Sequence, residues 1–261
     1  INIIKEKKIN EIKLKSFQSL FNQILTKKNI KKINFNDINF VNLFILNYQI
    51  NNEKIINNNY FANIKINFNQ SLIIKYLIDK KIEFVIKAPN KFLLIIMETN
   101  NLNTHLLSYE NRYYQFLNNS TNESFIKFFE LPNLDFNDRF IFNEHHFNRN
   151  LFEQNNMLNN KYGTEYQILI NSIKKDNIII YDVNIFYNNQ KYFVAKIPIN
   201  NLNYEKIFNH ILMKSIDKWK EINQINTSQI NTLECRININ NINELSYVRS
   251  ILKSNILIRH I

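Results

Sequence analysis

Two acidic side chains, three residues apart, follow a proline in the segment LPNLDFNDRFIFN, residues 131–143. Two neighbouring carboxylates can act as a general acid and a general base, which is the chemistry that Asp135 and Asp138 could perform. The same spacing is typical of an N-cap residue followed by an acidic residue in the first helical turn. Pro132 should end the extended segment FIKFFEL that we expect before it, because proline fixes φ and lacks an N–H donor. We therefore favour a capping role for both aspartates over a catalytic one.

Other side chains that could bind a metal or act as a nucleophile are few. Residues 144–146, Glu-His-His, form the only cluster of histidines, and adjacent side chains point in different directions in a helix or strand. The sequence has no HExxH or CxxC spacing. Cys235 lies on the apolar face of a predicted strand, which is typical of a buried thiol. We expect no catalytic residue, no cofactor and no metal site.

The glycine content excludes several large enzyme classes. The chain has 1 glycine among its 261 residues. The dinucleotide-binding fingerprint, the phosphate-binding loop and the nucleophile elbow each need several glycines, since only glycine allows the backbone to turn or approach so closely. The standard P-loop NTPases, Rossmann dehydrogenases and α/β-hydrolases are therefore excluded. These exclusions do not apply to an enzyme whose site is assembled from residues that are distant in the sequence, and this possibility stays open.

The net charge of +11 favours a nucleic acid or an anionic surface as a partner, but its origin weakens that interpretation. Asn, Ile, Lys, Phe and Tyr dominate the composition, as an AT-rich genome would produce. The sequence has two dense lysine runs, which we interpret as solvated helix faces; they are Lys5, Lys7 and Lys8, and Lys27, Lys28, Lys31 and Lys32. The arginines are scattered rather than clustered for binding phosphates.

Aromatic residues alternate with charged residues after position 108. This pattern could stack on single-stranded RNA, but we favour packing in a surface loop. The residues concerned are Tyr109, Arg112, Tyr113, Tyr114 and Phe116.

No stretch of the sequence is suited to crossing a membrane. The longest apolar run, Phe92 to Met97, is much shorter than the ~20 residues of a membrane-spanning helix. The chain begins at Ile1 rather than methionine, and we expect that a signal peptide has been removed.

Hydrophobic periodicity predicts the elements of the first hundred residues. Helices are predicted at residues 11–26 and 70–79, the second after Asn69 as N-cap. Strands are predicted at 40–50, 60–68, 82–86 and 92–97, and an asparagine-rich turn at 51–59 joins the first two into a hairpin.

The second half of the chain has the clearer patterns. A helix at 151–162 should end at Gly163, the only glycine, with positive φ. Strands at 166–173, 178–187 and 192–199 should form a meander, with a tight turn at Asn188 and Asn189. Residues 203–222 are the strongest predicted helix, and Trp219 lies on its apolar stripe. A strand, a helix and a strand should follow at 233–240, 243–254 and 255–261.

These elements predict an α+β fold with two α/β subdomains, each a mainly antiparallel sheet covered by helices. Periodicity fades between residues 100 and 122, which we interpret as a long surface connection. We expect an N-terminal subdomain at residues 1–100, a connecting segment at 101–125 and a C-terminal subdomain at 126–261.

Several segments resemble, in the same order, those of a family of proteobacterial envelope proteins known as domain of unknown function 2066 (DUF2066). The similarity includes residues 60–97, FFELPNLDFND, SIDKWKEIN and the C-terminal residues 237–261. The family usually has glycine where this chain has Leu134. The motif residues that match are interpreted as structural; they are Pro132, Asp135, Asp138 and Trp219. The resemblance implies export and a periplasmic or envelope-associated location, and it implies no reaction.

We therefore expect a non-enzymatic binding or assembly module of the bacterial cell envelope that acts with other envelope proteins. The alternative, favoured by the charge and the aromatic residues, is an RNA-binding protein of the ribosomal type from an AT-rich genome, with a cytoplasmic or organellar location. Salt-dependent binding to RNA would distinguish the two.

Overall fold

The computed structural model describes residues 2–56, 59–100, 103–149, 151–175, 178–200, 203–228, 234, 236–239 and 241–254. The chain divides into two compact units. The first comprises residues 1–86 with 224–261, and the second comprises residues 87–223. These limits differ from the ranges predicted from sequence, because the strand at 92–100 pairs with the strand at 166–175 in the second unit. Ile225, in turn, pairs with Phe84 in the first unit.

The first unit begins with helices and continues into a two-stranded antiparallel sheet. Its core is aromatic, and Phe17 and Phe21 of the first helix are completely buried there. The predicted helix after Asn69 is confirmed, since the Asn69 side chain accepts a hydrogen bond from the N–H of Leu72 at 3.1 Å. The elements are α1 (Asn2–Ile24), α2 (Lys27–Ile30), α3 (Ile38–Asn42), β1 (Ile45–Ile56), β2 (Asn59–Phe68) and α4 (Gln70–Asp79).

Three predictions for this unit need correction. The predicted strand at 40–50 begins as helix α3, because Asp37 accepts hydrogen bonds from the N–H groups of Asn39 and Phe40 at 2.9 and 3.3 Å and caps it. The hairpin is confirmed, but the predicted turn at 51–59 is mostly strand, since β1 continues to Ile56. The predicted strand at 82–86 is reduced to the single bridge between Phe84 and Ile225.

The second unit contains a mixed sheet that helices cover, so the predicted α+β class is confirmed. The strand order is β4-β3-β6-β7-β8, with the short β5 parallel to β3. The elements are β3 (Phe92–Asn100), β4 (Asn103–His105), α5 (Arg112–Asn118), α6 (Glu123–Phe128), β5 (Phe129–Glu130), α7 (Phe136–Ile141), α8 (Glu144–Arg149), α9 (Phe152–Tyr162), β6 (Tyr166–Lys175), β7 (Ile178–Tyr187), β8 (Gln190–Ile199) and α10 (Tyr204–Asn223).

Strand β3 is parallel to β6, and β6, β7 and β8 form the predicted antiparallel meander. Residues Phe92 to Glu98 are all buried, as expected of a strand that is covered on both faces. The tight turn is also confirmed, because Asn188 and Asn189 adopt φ values of 47° and 58°. These positive values suit the two-residue turns that join antiparallel strands.

The predicted surface connection at 100–122 is instead part of the second unit. Helix α5 buries Tyr113 and Tyr114, which are each 1% exposed. The Tyr114 hydroxyl accepts a hydrogen bond from the N–H of Ile96 at 2.9 Å and donates to the carbonyl of Leu94 at 3.2 Å. The Asn111 amide donates to the Ile96 carbonyl at 2.9 Å. Side chains thus provide hydrogen-bond partners for the backbone groups of β3 that lie between the positions paired with β4 and those paired with β5.

The remaining differences lie around residue 128 and at the C-terminal end. The segment before Pro132 was predicted to be extended, but it forms helix α6 and only the two-residue strand β5. Helix α11 (Ile242–Ser254) confirms the helix predicted at 243–254. Residues 234 and 236–239 are not in a strand, and the rest of the strand predicted at 233–240 lies outside the described residues. The strand predicted at 255–261 also lies outside them.

Candidate functional site

Helix α7 begins as the sequence predicts. Asp135 has extended backbone angles, and its Oδ1 atom accepts a hydrogen bond from the N–H of Asp138 at 2.7 Å. This bond satisfies an N–H group that has no partner within the helix. Pro132 is buried just before the helix. The cap predicted at Asp135 is therefore confirmed.

Asp138 has a further role that the sequence did not predict. Its side chain is completely buried. It accepts hydrogen bonds from Lys161 Nζ at 2.7 Å, from the Tyr162 hydroxyl at 2.7 Å and from the N–H of Leu134 at 2.9 Å. Lys161 Nζ also lies 3.2 Å from both carboxylate oxygens of Asp135. We call the four side chains Asp135, Asp138, Lys161 and Tyr162 the polar brace.

Helix α9 supplies the basic half of the polar brace from its last turn. The helix ends at Gly163, which adopts the left-handed conformation with φ 61°. The next N–H group, that of Thr164, donates to the Asn159 carbonyl at 3.0 Å and closes the end of the helix. This termination fixes the direction of Lys161 and Tyr162, so both reach the start of α7.

The electrostatics of the polar brace favour a structural role. The hydrogen bond to Asp138 raises the pKa of Lys161, and burial raises the pKa of Tyr162 to about 12. The N–H of Asp138 lowers the pKa of Asp135. At neutral pH Lys161 is therefore charged and Tyr162 is protonated. An efficient general acid or base needs a pKa near the working pH, which neither of these groups has.

The opposite face of α7 carries two exposed phenylalanines. Phe136 and Phe140 are 72% and 77% exposed. Their ring centroids are 6.4 Å apart and their planes differ by 23°. We call these two residues the aromatic pair. A helix of six residues would not form in isolation, so the polar brace is what holds the aromatic pair in place.

The other residues singled out in the sequence have local or core roles. His146 and Asn143 exchange hydrogen bonds of 3.2 Å at the start of α8. Trp219 is 6% exposed, and its ring packs edge-on against Tyr166 with the centroids 6.3 Å apart. Cys235 lies outside the described residues. Within the part of the chain that the structure describes, no three His, Cys, Asp or Glu side chains are placed to hold a metal ion.

The aromatic residues after position 108 do not form a common surface. Tyr113 and Tyr114 are buried, whereas Tyr109 is 66% exposed. Arg112 forms an ion pair with the buried Glu98, and its Nε lies 2.6 Å from Glu98 Oε1. The interpretation of these residues as a surface loop is therefore wrong, and they cannot stack together on RNA.

Comparison with known proteins identifies no relative that could indicate a function for this site. No family model, curated protein or solved structure gives a significant match to the chain. The resemblance to domain of unknown function 2066 therefore stays a prediction. None of the helices in the described ranges combines the length and the hydrophobicity that a membrane span requires.

Sequence reasoning identified Pro132, Asp135 and Asp138 but missed half of the polar brace and the whole aromatic pair. Lys161 and Tyr162 precede the only glycine, and a helix that is forced to end there is the one local indication of them. Phe136 and Phe140 have helical i, i+4 spacing, which by itself indicates a buried stripe. The structure shows instead that both rings are exposed and that Asp138, between them in sequence, is buried.

Proposed function

We propose that this protein is a non-enzymatic binding module that contacts a partner protein through the aromatic pair. The observation that carries the proposal is the rigid presentation of Phe136 and Phe140 on a helix anchored by a buried carboxylate. The partner is a component of the bacterial cell envelope, as the predicted export of the chain suggests.

The energetics favour binding at this surface. Burying a phenylalanine side chain contributes roughly 1.5–3 kcal/mol, so covering both rings would supply several kcal/mol of binding free energy. Aromatic residues are also enriched among the side chains that dominate protein interfaces. Because the polar brace already orders α7, little conformational entropy remains to be lost when a partner binds.

A partner other than a second copy of the chain is favoured. The chain carries a net charge of +11, and long-range repulsion opposes the association of two such molecules. The aromatic pair therefore fits an apolar pocket on a neutral or acidic protein.

The test replaces both members of the aromatic pair. Phe136→Ser with Phe140→Ser removes the apolar contact without changing charge. The matched control is Ile126→Ser with Phe193→Ser, which removes two other apolar side chains of the second unit that are 60% and 58% exposed. Immobilised wild-type protein, control and variant are each incubated with solubilised envelope fraction under crosslinking.

We expect one stoichiometric partner that the wild type and the control retain and the aromatic-pair variant loses. Equal retention by both double variants, or no stoichiometric partner with the wild type, would refute the proposal. Fractionation of the native cell tests the location separately, and recovery of the protein in the cytosol would contradict the envelope assignment.

A further inference from the structure

The net charge of the protein is concentrated in one of its two units. Of the 33 lysines and arginines, 18 lie in residues 1–86 and 224–261, together with 8 of the 22 acidic residues. The first unit therefore has a net charge of +10, and the second has +1. Codon bias acts along the whole chain, so it does not explain a charge that is confined to one unit.

Six exposed lysines of the first unit lie on two segments that the fold brings together. The Asn29 amide in α2 donates a hydrogen bond to the Glu83 carbonyl at 3.0 Å, and the N–H of Val85 donates to the Ile24 carbonyl at 2.9 Å. These bonds join α2 and the end of α1 to the segment that follows α4. The two segments carry Lys27, Lys28, Lys31, Lys32, Lys80 and Lys81, which we call the lysine cluster.

Local structure fixes both segments of the lysine cluster. Thr26 caps α2 by accepting a hydrogen bond from the N–H of Asn29 at 3.2 Å, and Asn29 is only 3% exposed. At the end of α4, Lys81 adopts a left-handed φ of 54°, and the N–H of Ile82 bonds to the Leu77 carbonyl at 2.8 Å. The charged side chains therefore extend from an ordered backbone.

The composition of the lysine cluster distinguishes between anionic partners. Ile33 and Ile82 are buried, and Ile30 is only partly exposed, so residues 27–33 and 80–82 present no exposed apolar side chain. Binding to a membrane surface usually combines basic residues with an exposed apolar face. A phosphate backbone needs only closely spaced cations. We propose that the lysine cluster binds the sugar–phosphate backbone of a nucleic acid without sequence preference.

The chemistry also predicts the character of this binding. A lysine ammonium is a point charge without the planar fork that reads a guanine edge or grips phosphate in a bidentate manner. The affinity should therefore depend steeply on salt, and it should be similar for oligonucleotides of unrelated sequence. This function would belong to the first unit, whereas the aromatic pair belongs to the second. Binding to RNA would favour the cytoplasmic or organellar location over the envelope, so it would replace the envelope assignment of the partner protein and leave the aromatic pair as the surface that binds it.

The experiment measures fluorescence anisotropy of a labelled single-stranded RNA with the full chain at increasing salt. If six phosphates are contacted, the slope of log K against log salt should be about −4, at roughly 0.7 for each phosphate on a single strand. Replacing Lys27, Lys28, Lys31 and Lys32 with glutamine should make the salt dependence shallower, with a slope of about −1 instead of about −4. The same replacement should lower the affinity near 0.1 M salt by about 100-fold or more.

The matched control removes the same charge from the second unit, by replacing the exposed Lys174, Lys175, Lys206 and Lys214 with glutamine. We expect the control to keep the slope of the wild type. Equal weakening in both variants would show a general charge effect and overturn the proposal, as would the absence of binding at low salt. Binding to vesicles of anionic lipid without binding to RNA would also overturn it and assign the cluster to a membrane. Circular dichroism must show that both variants remain folded.

Discussion

Replacing Asp138 with alanine tests whether the polar brace holds the second unit together. The substitution removes an acceptor that serves three donors, which are Lys161 Nζ, the Tyr162 hydroxyl and the N–H of Leu134. Asp138 is completely buried, so water cannot replace the lost carboxylate without entering the protein.

The size of the effect follows from what the donors lose. Removing one partner of a buried ion pair destabilises a protein by roughly 3–5 kcal/mol, and each neutral donor left buried adds about 1 kcal/mol or more. The Lys161 side chain keeps 25% of its surface exposed, so its ammonium group can recover part of its hydration. With the loss from the ion pair reduced in this way to roughly 1–2 kcal/mol, and about 1 kcal/mol lost at each of the two neutral donors, we expect Asp138→Ala to lower the free energy of unfolding by about 3–4 kcal/mol. Asp138→Asn retains an acceptor oxygen of the same shape and should cost about half as much.

Urea denaturation followed by tryptophan fluorescence measures the change in the free energy of unfolding of the second unit, which contains Asp138. Trp219 is the only tryptophan of the chain, and it lies in the second unit. The matched control, Glu165→Ala, removes an exposed carboxylate from the same unit and should change stability by less than about 0.5 kcal/mol. If Asp138→Ala shifted the unfolding midpoint no more than the control, the buried carboxylate would not stabilise α7, and the reasoning about the polar brace would fail.

Three further predictions use the same unfolding assay. Leu134 is buried and has a φ of 61°, a conformation that is strained for any residue except glycine. The Leu134→Gly variant should therefore be more stable than the Leu134→Ala variant by about 1 kcal/mol. The reverse order would show that the backbone at this position is not strained. Gly163→Ala should cost about 1 kcal/mol from φ alone, since a Cβ would meet no atom within 4 Å, and an unchanged stability would refute this. The pKa of Asp135 is lowered below its usual 3.8, so the carboxylate stabilises the fold above that value and loses this effect as the pH falls through the folded-state pKa. The advantage of the wild type over Asp135→Asn should therefore disappear in strong acid, and an advantage that persisted there would exclude the charge as its cause.

Features whose cause lies in adjacent residues were predictable from the sequence. Gly163 ends α9 because its own backbone can adopt positive φ, and the turn at Asn188 and Asn189 depends on the same property of those two residues. Asp135 caps α7 through an N–H group only three residues away. Each of these signals is complete within a few positions of the chain, so no knowledge of the tertiary structure was needed.

Features whose cause lies far along the chain were not predictable. Lys161 and Tyr162 are 23 and 24 residues from Asp138, and no spacing rule connects positions so distant. Helix α5 is similar, because its Tyr114 contributes through hydrogen bonds to β3, 18 and 20 residues away. Sequence reasoning interpreted this segment as a surface connection because the sheet edge that Tyr114 completes is not visible in a local pattern.

Helix α7 shows a stronger limit of prediction from sequence, because its two phenylalanines are exposed and its acidic residue Asp138 is buried. By composition alone, Phe136 and Phe140 should face the core and Asp138 should face water. The structure places the carboxylate at 0% exposure and the rings above 70%. Desolvating a carboxylate is unfavourable unless partners compensate for it, and Lys161 and Tyr162 provide that compensation. Exposing both rings has no such compensation within the described part of the chain, which is the physical reason to look for a partner that covers them.

The two proposed surfaces lie in different units, and this makes their tests independent of each other. Substitution of the aromatic pair changes no charge and should leave the salt-dependent binding of RNA unchanged, because counterion release depends only on neutralised phosphates. Substitution of the lysine cluster should likewise leave the capture of a partner protein unchanged. Exposed aromatic rings can also stack on nucleic-acid bases. If Phe136→Ser with Phe140→Ser weakened RNA binding while leaving its salt slope intact, the rings would be stacking on bases, and a nucleic acid would replace the partner protein as the occupant of that surface.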